Sequence, residues 1–403
     1  MTVESMIGQA PGLDIVADLV ADDERLRTSL AKHIRNVFSP DDRKHLRTFG
    51  VAETAALLGV SVSNLRKLHH EGRIPDVAQD ARGHRTYSAS DIWAAREALA
   101  RTARNPRQYM PTRSGEEHLQ VIGITTFKGG SSKSTTANHL AQRLALKGYR
   151  VLMIDMDPQA SLTSMMGISL DLEMDETDED LSIYAAIRYK NPVPMSRVIR
   201  KTYFHGLDIA PAALILSEFE TETPVNLLKE GDRKFYFRLN DAIEQVADRY
   251  DVVIIDCPPQ LGFLTLSAMT AATGMIIPVI PNMVDVASLS QFLSMATSML
   301  NVIGDAGVNY QYDFQRYLLC RYEPSDSPQA QMAAFLRFNF GARLMTEPFL
   351  KSTAVSDAGL RQMSLYEIDR SQVTRATLDR ALDSINKVVD EIEVAMHQAW
   401  GRI

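Results

Sequence analysis

Runs of consecutive apolar residues alternate with helical stretches from Leu119 to the end of the chain. The runs read VIGITTF, VLMIDMD, LDIAPA, DVVIIDCPP, GMIIPVIP and RYLLCRY. A strand that is apolar along its whole length, with no polar alternate face, is typical of a parallel sheet covered by helices on both sides. The pattern therefore predicts an α/β fold for residues 116–403, built on a parallel sheet.

The first 115 residues follow a different, mostly helical pattern. Apolar positions recur close to the 3.6-residue period of a helix at Ile15, Leu19, Leu26, Leu30, Ile34 and Val37. This spacing predicts a helical arm over residues 1–45, which we expect to serve dimerisation. Residues 46–115 hold two short helical patterns, a turn region rich in Gly and Arg, a third helix, and a polar linker with two prolines. We therefore expect three domains, 1–45, 46–115 and 116–403.

Composition places the chain among ordinary globular proteins, with 45% apolar and 23% charged residues in a length of 403. Only two cysteines are present, so a disulfide framework is excluded and a reducing compartment is favoured. The N-terminus carries acids where a signal peptide needs basic residues. No stretch approaches the roughly 20 apolar residues of a membrane span. We expect a protein of the bacterial cytoplasm.

The net charge of −7 hides an asymmetry along the chain. Residues 41–113 hold thirteen Lys/Arg and eight Asp/Glu, a local charge of +5, so the remainder carries −12. A basic module joined to an acidic body suggests DNA binding by one part of the chain. A solvated basic surface without a partner explains the same charge equally well.

A candidate phosphate-binding loop follows the predicted strand Gln120–Phe127 and precedes a helical pattern. Its residues are Lys128, Gly129, Gly130, Ser131, Ser132, Lys133, Ser134 and Thr135. Glycines let backbone N–H groups approach phosphate oxygens, and the helix N-terminus adds a favourable potential. Lys133 suits the β/γ-phosphates, and the Ser134 hydroxyl suits Mg²⁺. The general pattern also wants glycine at positions 127 and 132, so a glycine-containing turn capped by serine stays an alternative.

Two further predicted strands end in carboxylates. The segment DVVIIDCPP ends its apolar run at Asp256, which suits the metal-side acid of a Walker B strand, and VLMIDMDPQ supplies Asp155 and Asp157. A single acid at a strand end is often only a helix cap. These two strand ends and the phosphate loop, which follows a third strand, have complementary chemistry. Together in one α/β domain they favour a nucleotide site.

These three motifs, in this order and spacing, resemble those of the deviant Walker A ATPases of the ParA/MinD group. The resemblance implies ATP/ADP and Mg²⁺ as cofactors and slow basal hydrolysis. It implies that Lys128 crosses to the partner's nucleotide in an ATP-sandwich dimer, and that Lys133 binds phosphate. It also implies that Asp157 positions the attacking water and that Ser134, Asp157 and Asp256 lie on the metal side. The commonest loop of the group has Val-Gly where this chain has Ser131-Ser132.

Residues 49–72 predict a helix, a glycine turn at Gly59, and a second helix capped by Ser61. A turn-rich basic hairpin pattern follows, then another helix. Together they resemble a MerR-type winged helix-turn-helix over about 48–100. Helical pairs with a glycine turn are also common without any DNA. The side chains expected at DNA are Ser61, Asn64, Arg66, Lys67 and His70 of the helix pair and Arg82, His84 and Arg85 of the wing.

A helical arm, a winged module and a ParA-type ATPase in one chain resemble the larger plasmid partition ATPases, and the Ser-Ser loop resembles the RepA group of repABC replicons. This implies a nucleoid-associated segregation ATPase that binds DNA non-specifically as an ATP homodimer. A ParB/RepB-type partner would stimulate hydrolysis, and operator binding would repress the operon. The alternative is a nucleotide-sensing transcriptional repressor without motor function.

Other functions of this fold fit the sequence less well. A membrane-oscillating protein needs a basic amphipathic tail helix, whereas this tail carries Asp390, Glu391 and Glu393 and predicts a packing helix. An iron–sulfur reductase needs cluster cysteines, but Cys257 lies in the Walker B segment and suits a buried core thiol. We therefore expect no membrane partner.

Overall fold

The computed structural model describes residues 15–37, 44–126, 128–168, 170, 181–230, 235–305 and 311–403. They fall into two compact units, one up to His45 and the other spanning Leu46–Ile403. The described residues of the first unit include the helix Ile15–Val37, with the apolar side chains of Ile15, Leu19 and Leu26 exposed. The remainder of the predicted arm, residues 1–14 and 38–43, lies outside the described residues, as does Phe127 of the phosphate loop.

Helices and strands are numbered in chain order. The helices are α1 Ile15–Val37, α2 Val51–Leu58, α3 Val62–His70, α4 Ala89–Thr102, α5 Lys133–Lys147, α6 Ser161–Met165, α7 Ile183–Ile187, α8 Met195–Val198, α9 Glu218–Glu230, α10 Arg238–Glu244, α11 Phe263–Ala271, α12 Met283–Asp305, α13 Ser327–Phe340, α14 Thr353–Leu360 and α15 Arg375–Ala399. The strands are β1 Phe49–Gly50, β2 Thr86–Tyr87, β3 Gln120–Ile124, β4 Val151–Asp155, β5 Arg200–Lys201, β6 Leu207–Ala210, β7 Val252–Asp256, β8 Gly274–Val279 and β9 Phe314–Leu319.

Seven strands form one sheet in the order β5-β6-β4-β7-β3-β8-β9. All neighbouring pairs are parallel except β5 with β6. The central strands are buried along their whole length, because helices cover both faces of the sheet. The predicted α/β fold with a parallel sheet is confirmed. The short edge strand β5 was not predicted, since Arg200 and Lys201 give no apolar signal.

The strand order brings the predicted motifs to one edge of the sheet. Strands β3 and β4 both pair with β7, and the register places Ile124 and Asp155 on either side of Asp256. Parallel strands present their carboxyl ends at the same edge, where ligands of open α/β sheets bind. The phosphate loop therefore lies beside both strand-end carboxylates.

Residues 46–103 form a small module of three helices, α2 to α4, and the antiparallel pair β1–β2. Gly59 has a φ of 68°, a left-handed conformation that ends α2 and that glycine adopts without steric cost. The Ser61 side chain accepts a hydrogen bond from the Asn64 backbone N–H, so the predicted N-cap of α3 is confirmed.

The same hydrophobic core continues from this module into the sheet region, so residues 46–403 are one compact unit. The segment predicted as a linker, 105–115, is held against the body of the protein. Arg113 donates to the carbonyl oxygens of Tyr250 and Ala247, and its backbone N–H donates to Asp251. The module is therefore packed on the sheet region.

The C-terminal helix α15 packs on the outside of α5, as its acidic composition predicted. It buries one apolar face and forms ion pairs from Lys147 to Asp390 and Glu393. Cys257 is buried and unpaired, and burial raises the pKa of its thiol far above the usual value, which suits a core residue.

Helix α12 is the one helix among the described residues that is long and apolar enough to cross a membrane by length and composition alone. The sequence pattern had indicated no such stretch. In the fold, α12 connects the neighbouring parallel strands β8 and β9 and buries Leu289 and Phe292. It therefore occupies the position of a crossover helix of the sheet.

Candidate functional site

The predicted phosphate loop turns directly into helix α5, whose first residue is Lys133. Two loop residues have left-handed backbone conformations, Gly130 with a φ of 73° and Ser132 with a φ of 75°. A residue with a Cβ atom is strained in this region, where the general phosphate-loop pattern has glycine. The Ser132 side chain does not cap α5, so no hydrogen bond from that side chain offsets the strain.

Lys133 is buried at the start of α5 and is surrounded by acidic groups. Its Nζ atom lies 3.2 Å from the carbonyl oxygen of Lys128, to which it donates a hydrogen bond. Burial lowers the pKa of Lys133, and the nearby charge of Asp256 opposes that shift. The ammonium group therefore lies where the loop backbone and the strand-end carboxylates meet.

Asp256 ends strand β7 with a fully buried side chain. Neither carboxylate oxygen accepts a well-formed hydrogen bond within the described part of the chain, although the Ser134 hydroxyl and Lys133 lie close enough to stabilise its charge. Burial and the neighbouring Asp155 raise the pKa of Asp256 well above its usual value, while Ser134 and Lys133 lower it. Burying a carboxylate with so few hydrogen bonds is costly, so the position suits a bound cation in addition to Lys133.

Asp155, at the end of β4, has a structural environment that the sequence reasoning missed. Its oxygens accept hydrogen bonds from the backbone N–H groups of Asp157 and Thr163 and from the Thr163 hydroxyl at 2.7 Å. Burial raises the pKa of Asp155 to about 6, and the Thr163 hydrogen bonds oppose the shift. Asp155 thus orders the loop after β4, which carries Asp157, and adds negative charge beside Asp256.

Asp157 lies on the wall of a cleft next to the phosphate loop. Its Oδ1 atom accepts a hydrogen bond from the backbone N–H of Gln159 at 3.0 Å. The side chain is mostly buried and faces the same space as Lys133 and Ser134. The predicted loop and acid residues are therefore brought together at one site.

The cleft has a volume of about 750 Å³, which is in the range of small-molecule sites. Loop residues Gly129, Gly130 and Ser132 to Thr135 form one wall. A second wall consists of Arg321 and residues between Leu350 and Gln362. No local motif marks this second wall in the sequence. Ser131 does not line the cleft, and its buried hydroxyl has no hydrogen-bond partner among the described residues.

The side chain of Lys128 forms an ion pair with a residue outside the phosphate loop. Its Nζ atom lies 2.8 Å from Oδ2 of Asp285, in the first turn of α12. The Asp285 side chain is only 4% exposed, whereas that of Lys128 is 41% exposed. Sequence reasoning missed Asp285, which lies 157 positions from Lys128 and belongs to no recognisable motif.

The residues predicted to contact DNA lie on exposed surfaces of the module. On α3, Leu65 and Leu68 are buried, while the predicted side chains point to solvent. These exposed residues are Asn64, Arg66, Lys67 and His70. The helix is thus divided into a core face and a polar face. On the polar face, Nζ of Lys67 lies 3.6 Å from Oε1 of Glu71.

The predicted wing residues form a hairpin between Ala78 and Thr86. Its tip is closed by Asp80, whose side chain accepts hydrogen bonds from the backbone N–H groups of Arg82 and His84. Gly83 has a φ of 78°, the conformation that this turn requires. Arg82 and His84 are exposed, and Arg85 is half-buried. The hairpin continues into β2, where the Tyr87 hydroxyl oxygen lies 2.8 Å from Nε2 of His69 in α3.

Comparison with known proteins identifies the family. Residues 119–303 match a family model described as an AAA domain. A protein of Rhizobium rhizogenes named replication protein A is 47% identical over 406 residues, which is 99% of both chains. Protein SopA of Escherichia coli K12 is 32% identical over 84% of this chain and 86% of its own length. The chain belongs to the ParA/SopA family of partition ATPases.

The match to these relatives of the ParA/SopA family extends beyond the ATPase region into the N-terminal module. A solved structure described as a partition protein has the same fold over 94% of this chain, with 17% identity and a TM-score of 0.65. The family resemblance based on Lys128, Asp157 and Asp256 is therefore confirmed. The individual roles of the site residues stay predictions.

Proposed function

We propose that this chain is an ATP-hydrolysing plasmid partition protein that also represses its own operon. The observation that carries the proposal is the fully buried Asp256 carboxyl group, which accepts no well-formed hydrogen bond and lies beside Lys133 and Ser134. An acid of this kind suits the metal side of a nucleotide site. Further support comes from the family, whose members include partition ATPases.

The cleft supplies the groups that MgATP requires. Backbone N–H groups of Gly129 to Thr135 and the N-terminus of α5 suit the phosphates, with Lys133 as the cation. Ser134 and Asp256 would hold Mg²⁺, with Asp157 nearby for the attacking water. Bound Mg²⁺ neutralises phosphate charge that develops during hydrolysis.

The active state in this proposal is a homodimer. Lys128 acts on the nucleotide of the partner subunit, so neither subunit completes its site alone. The exposed apolar side chains of α1 support a second contact between subunits through the arm. Nucleotide then controls how the two ATPase regions associate.

DNA enters the proposal in two ways. The exposed polar face of α3 and the basic hairpin suit a specific operator. The ATP-bound homodimer binds DNA non-specifically, and a ParB/RepB-type protein stimulates hydrolysis and release. We place these events on the nucleoid of the bacterial cytoplasm.

The primary test is ATP binding by the full chain and by the variant Lys133→Ala. Removing the ammonium should weaken ATP binding by at least about 100-fold, because close charge-assisted contacts to phosphate contribute several kcal/mol. The exposed lysine variant Lys387→Ala is the matched control and should bind as the wild type does. Wild-type affinity in Lys133→Ala would refute the assignment of the cleft.

Turnover separates a partition motor from a repressor that only senses nucleotide. A motor should hydrolyse ATP slowly alone and faster with DNA and a ParB-type partner. Asp157→Ala should bind ATP with near wild-type affinity, hydrolyse it far more slowly, and persist as ATP-bound dimer on DNA. A protein that binds ATP and operator but shows no stimulated turnover would be the repressor.

A further inference from the structure

The ion pair between Lys128 and Asp285 has a property that the proposed function alone does not require. Within the described part of the chain, Lys128 is the only cation at ion-pair distance from Asp285. The Asp285 side chain is almost completely buried. A buried carboxylate that loses its cation is left desolvated and uncompensated. Moving Lys128 away from Asp285 is therefore unfavourable within one subunit.

Local contacts hold Asp285 in place. Its backbone N–H donates to Oδ1 of Asn282 at 2.9 Å, a bond that fixes the first turn of α12. The side chain also lies in the first turn of α12, where the helix dipole attracts negative charge. Asp285 is therefore held in place, and Lys128, with a long and more exposed side chain, is the part of the pair that can move.

The two lysines of the phosphate loop are linked to each other. The side chain of Lys133 donates to the carbonyl oxygen of Lys128, so its ammonium is engaged by the backbone of the residue whose side chain binds Asp285. A polyphosphate that attracts Lys133 competes with this bond and frees the backbone at position 128. Nucleotide entry would in this way loosen the segment that carries the Lys128 side chain.

We propose that Asp285 is an intramolecular latch for Lys128, holding it in its own subunit until a partner's nucleotide offers a competing negative charge. The inference rests on the proposed action of Lys128 across the dimer. Asp285 is a positioning residue, since it acts only through Lys128. The latch sets a threshold for dimerisation. Because dimerisation must break the Lys128–Asp285 pair, it requires a higher ATP concentration than it would without the pair.

The test is nucleotide-dependent dimerisation of the full chain. Sedimentation velocity measures it over a range of ATPγS concentrations, at a protein concentration where the nucleotide-free chain is monomeric. Asp285→Asn should lower the midpoint ATPγS concentration about tenfold, the factor that corresponds to 1.4 kcal/mol. Asp305→Asn, an exposed acid at the other end of α12, is the matched control and should keep the wild-type midpoint. An unchanged or higher midpoint in Asp285→Asn would overturn the latch.

Thermal stability tests whether the ion pair forms in the folded protein, and the ATPγS midpoint then separates a latch from a purely structural pair. Lys128→Gln should lower the melting temperature by leaving Asp285 unpaired, and Lys128→Gln with Asp285→Asn should recover it. A purely structural pair would show the same recovery but no shift of the midpoint. If Asp285→Asn does not fold, Asn282→Ala, which loosens the hold on Asp285, should shift the midpoint in the same direction.

The outcomes also separate the latch from the proposed function. If Lys128→Gln hydrolyses ATP as the wild type does, or if the wild type does not dimerise with ATPγS, the action across the dimer is wrong and the latch falls with it. If both behave as proposed and Asp285→Asn keeps the wild-type midpoint, only the latch is wrong.

Discussion

The Nε atom of Arg96 in helix α4 donates a hydrogen bond to the carbonyl oxygen of Leu146 in the last turn of α5, at 3.0 Å. The same guanidinium donates to the carbonyl oxygens of Tyr109, at 3.0 Å, and Leu57. Burial lowers the pKa of Arg96 to about 10, so it stays charged at neutral pH. One side chain therefore joins the end of the phosphate-loop helix to the end of α2 in the N-terminal module.

Removing this guanidinium should destabilise the junction. Arg96→Met keeps an apolar stem but leaves buried carbonyl groups without donors, each worth about 1–3 kcal/mol when unsatisfied. We expect the free energy of unfolding to fall by roughly 3 kcal/mol, measured by urea denaturation at neutral pH.

The control for that measurement is Arg101→Met, which changes an exposed arginine on the same helix. It should change the free energy of unfolding by no more than about 0.5 kcal/mol. Equal stability of the two variants would mean that the Arg96 hydrogen bonds contribute nothing beyond packing.

Arg96 also illustrates what the sequence could not reveal. In the sequence it counts as one of the positive charges between residues 41 and 113, which suggested a DNA-binding surface. In the fold it is buried and donates to backbone carbonyls, whose positions depend on helices far apart in the chain. Charge counts cannot separate such a residue from Arg66, which is exposed.

The phosphate site was predictable to the extent that its signals are local. A strand, a glycine loop with Lys133 and a helix are adjacent in the chain, and the strand ends at Asp155 and Asp256 carry the same apolar signature. The partner of Lys128 was not predictable, because Asp285 is brought to it by the pairing of β3 with β8. The second wall of the cleft depends on tertiary packing in the same way.

Backbone strain at Ser132 should be measurable. Its φ of 75° is unfavourable for a residue with a Cβ atom, so Ser132→Gly should raise the free energy of unfolding by about 0.5–1 kcal/mol. The same substitution at Ser61, an N-cap with an ordinary φ of −73°, should instead lower it by a few tenths of a kcal/mol. Loss of stability in Ser132→Gly would indicate that the serine side chain makes a contact that offsets the strain.

The variant Ser131→Ala can show whether the buried Ser131 hydroxyl contacts phosphate or is only an unpaired group in the loop. Because the hydroxyl has no partner among the described residues, Ser131→Ala should stabilise the nucleotide-free protein by about 1 kcal/mol. If this loop residue contacts phosphate through its hydroxyl as well as through its backbone, the variant should also bind ATP more weakly in calorimetry. Higher stability with unchanged ATP affinity would remove Ser131 from the nucleotide site.

The C-terminus is tied to the start of the sheet by an ion pair whose effect depends on pH. Hydrogen bonds from Arg402 lower the pKa of Glu117 to about 2 from an ordinary value of 4.5. Because the folded-state pKa is the lower one, the carboxylate stabilises the fold above about pH 4.5, and this contribution is lost as the pH falls toward 2.

Glu117→Gln should therefore lower the free energy of unfolding by about 2 kcal/mol at pH 7 and by less at pH 3. Urea denaturation at both pH values measures this difference. Glu116→Gln, at the exposed neighbouring position, should show no such dependence. A loss in Glu117→Gln that is the same at both pH values would mean that the Arg402 ion pair is not its cause.

Arg66 is exposed on the polar face of α3, whereas Leu65 and Leu68 hold the helix in the module core, so its side chain is free to reach DNA without disturbing the fold. If Arg66 reads a base edge, Arg66→Ala should weaken operator binding by about 1–3 kcal/mol and leave binding to a scrambled duplex nearly unchanged. Fluorescence anisotropy on both duplexes over a range of salt concentrations measures this, with exposed Arg101→Ala as the control.

A phosphate contact by Arg66 would instead weaken binding to both duplexes alike and reduce the salt slope by roughly one unit. ATP hydrolysis should stay at the wild-type rate, because Arg66 lies in the module and not in the cleft. Wild-type operator affinity in Arg66→Ala, together with wild-type affinity in variants of the other exposed α3 residues, would show that the operator is not bound by this helix.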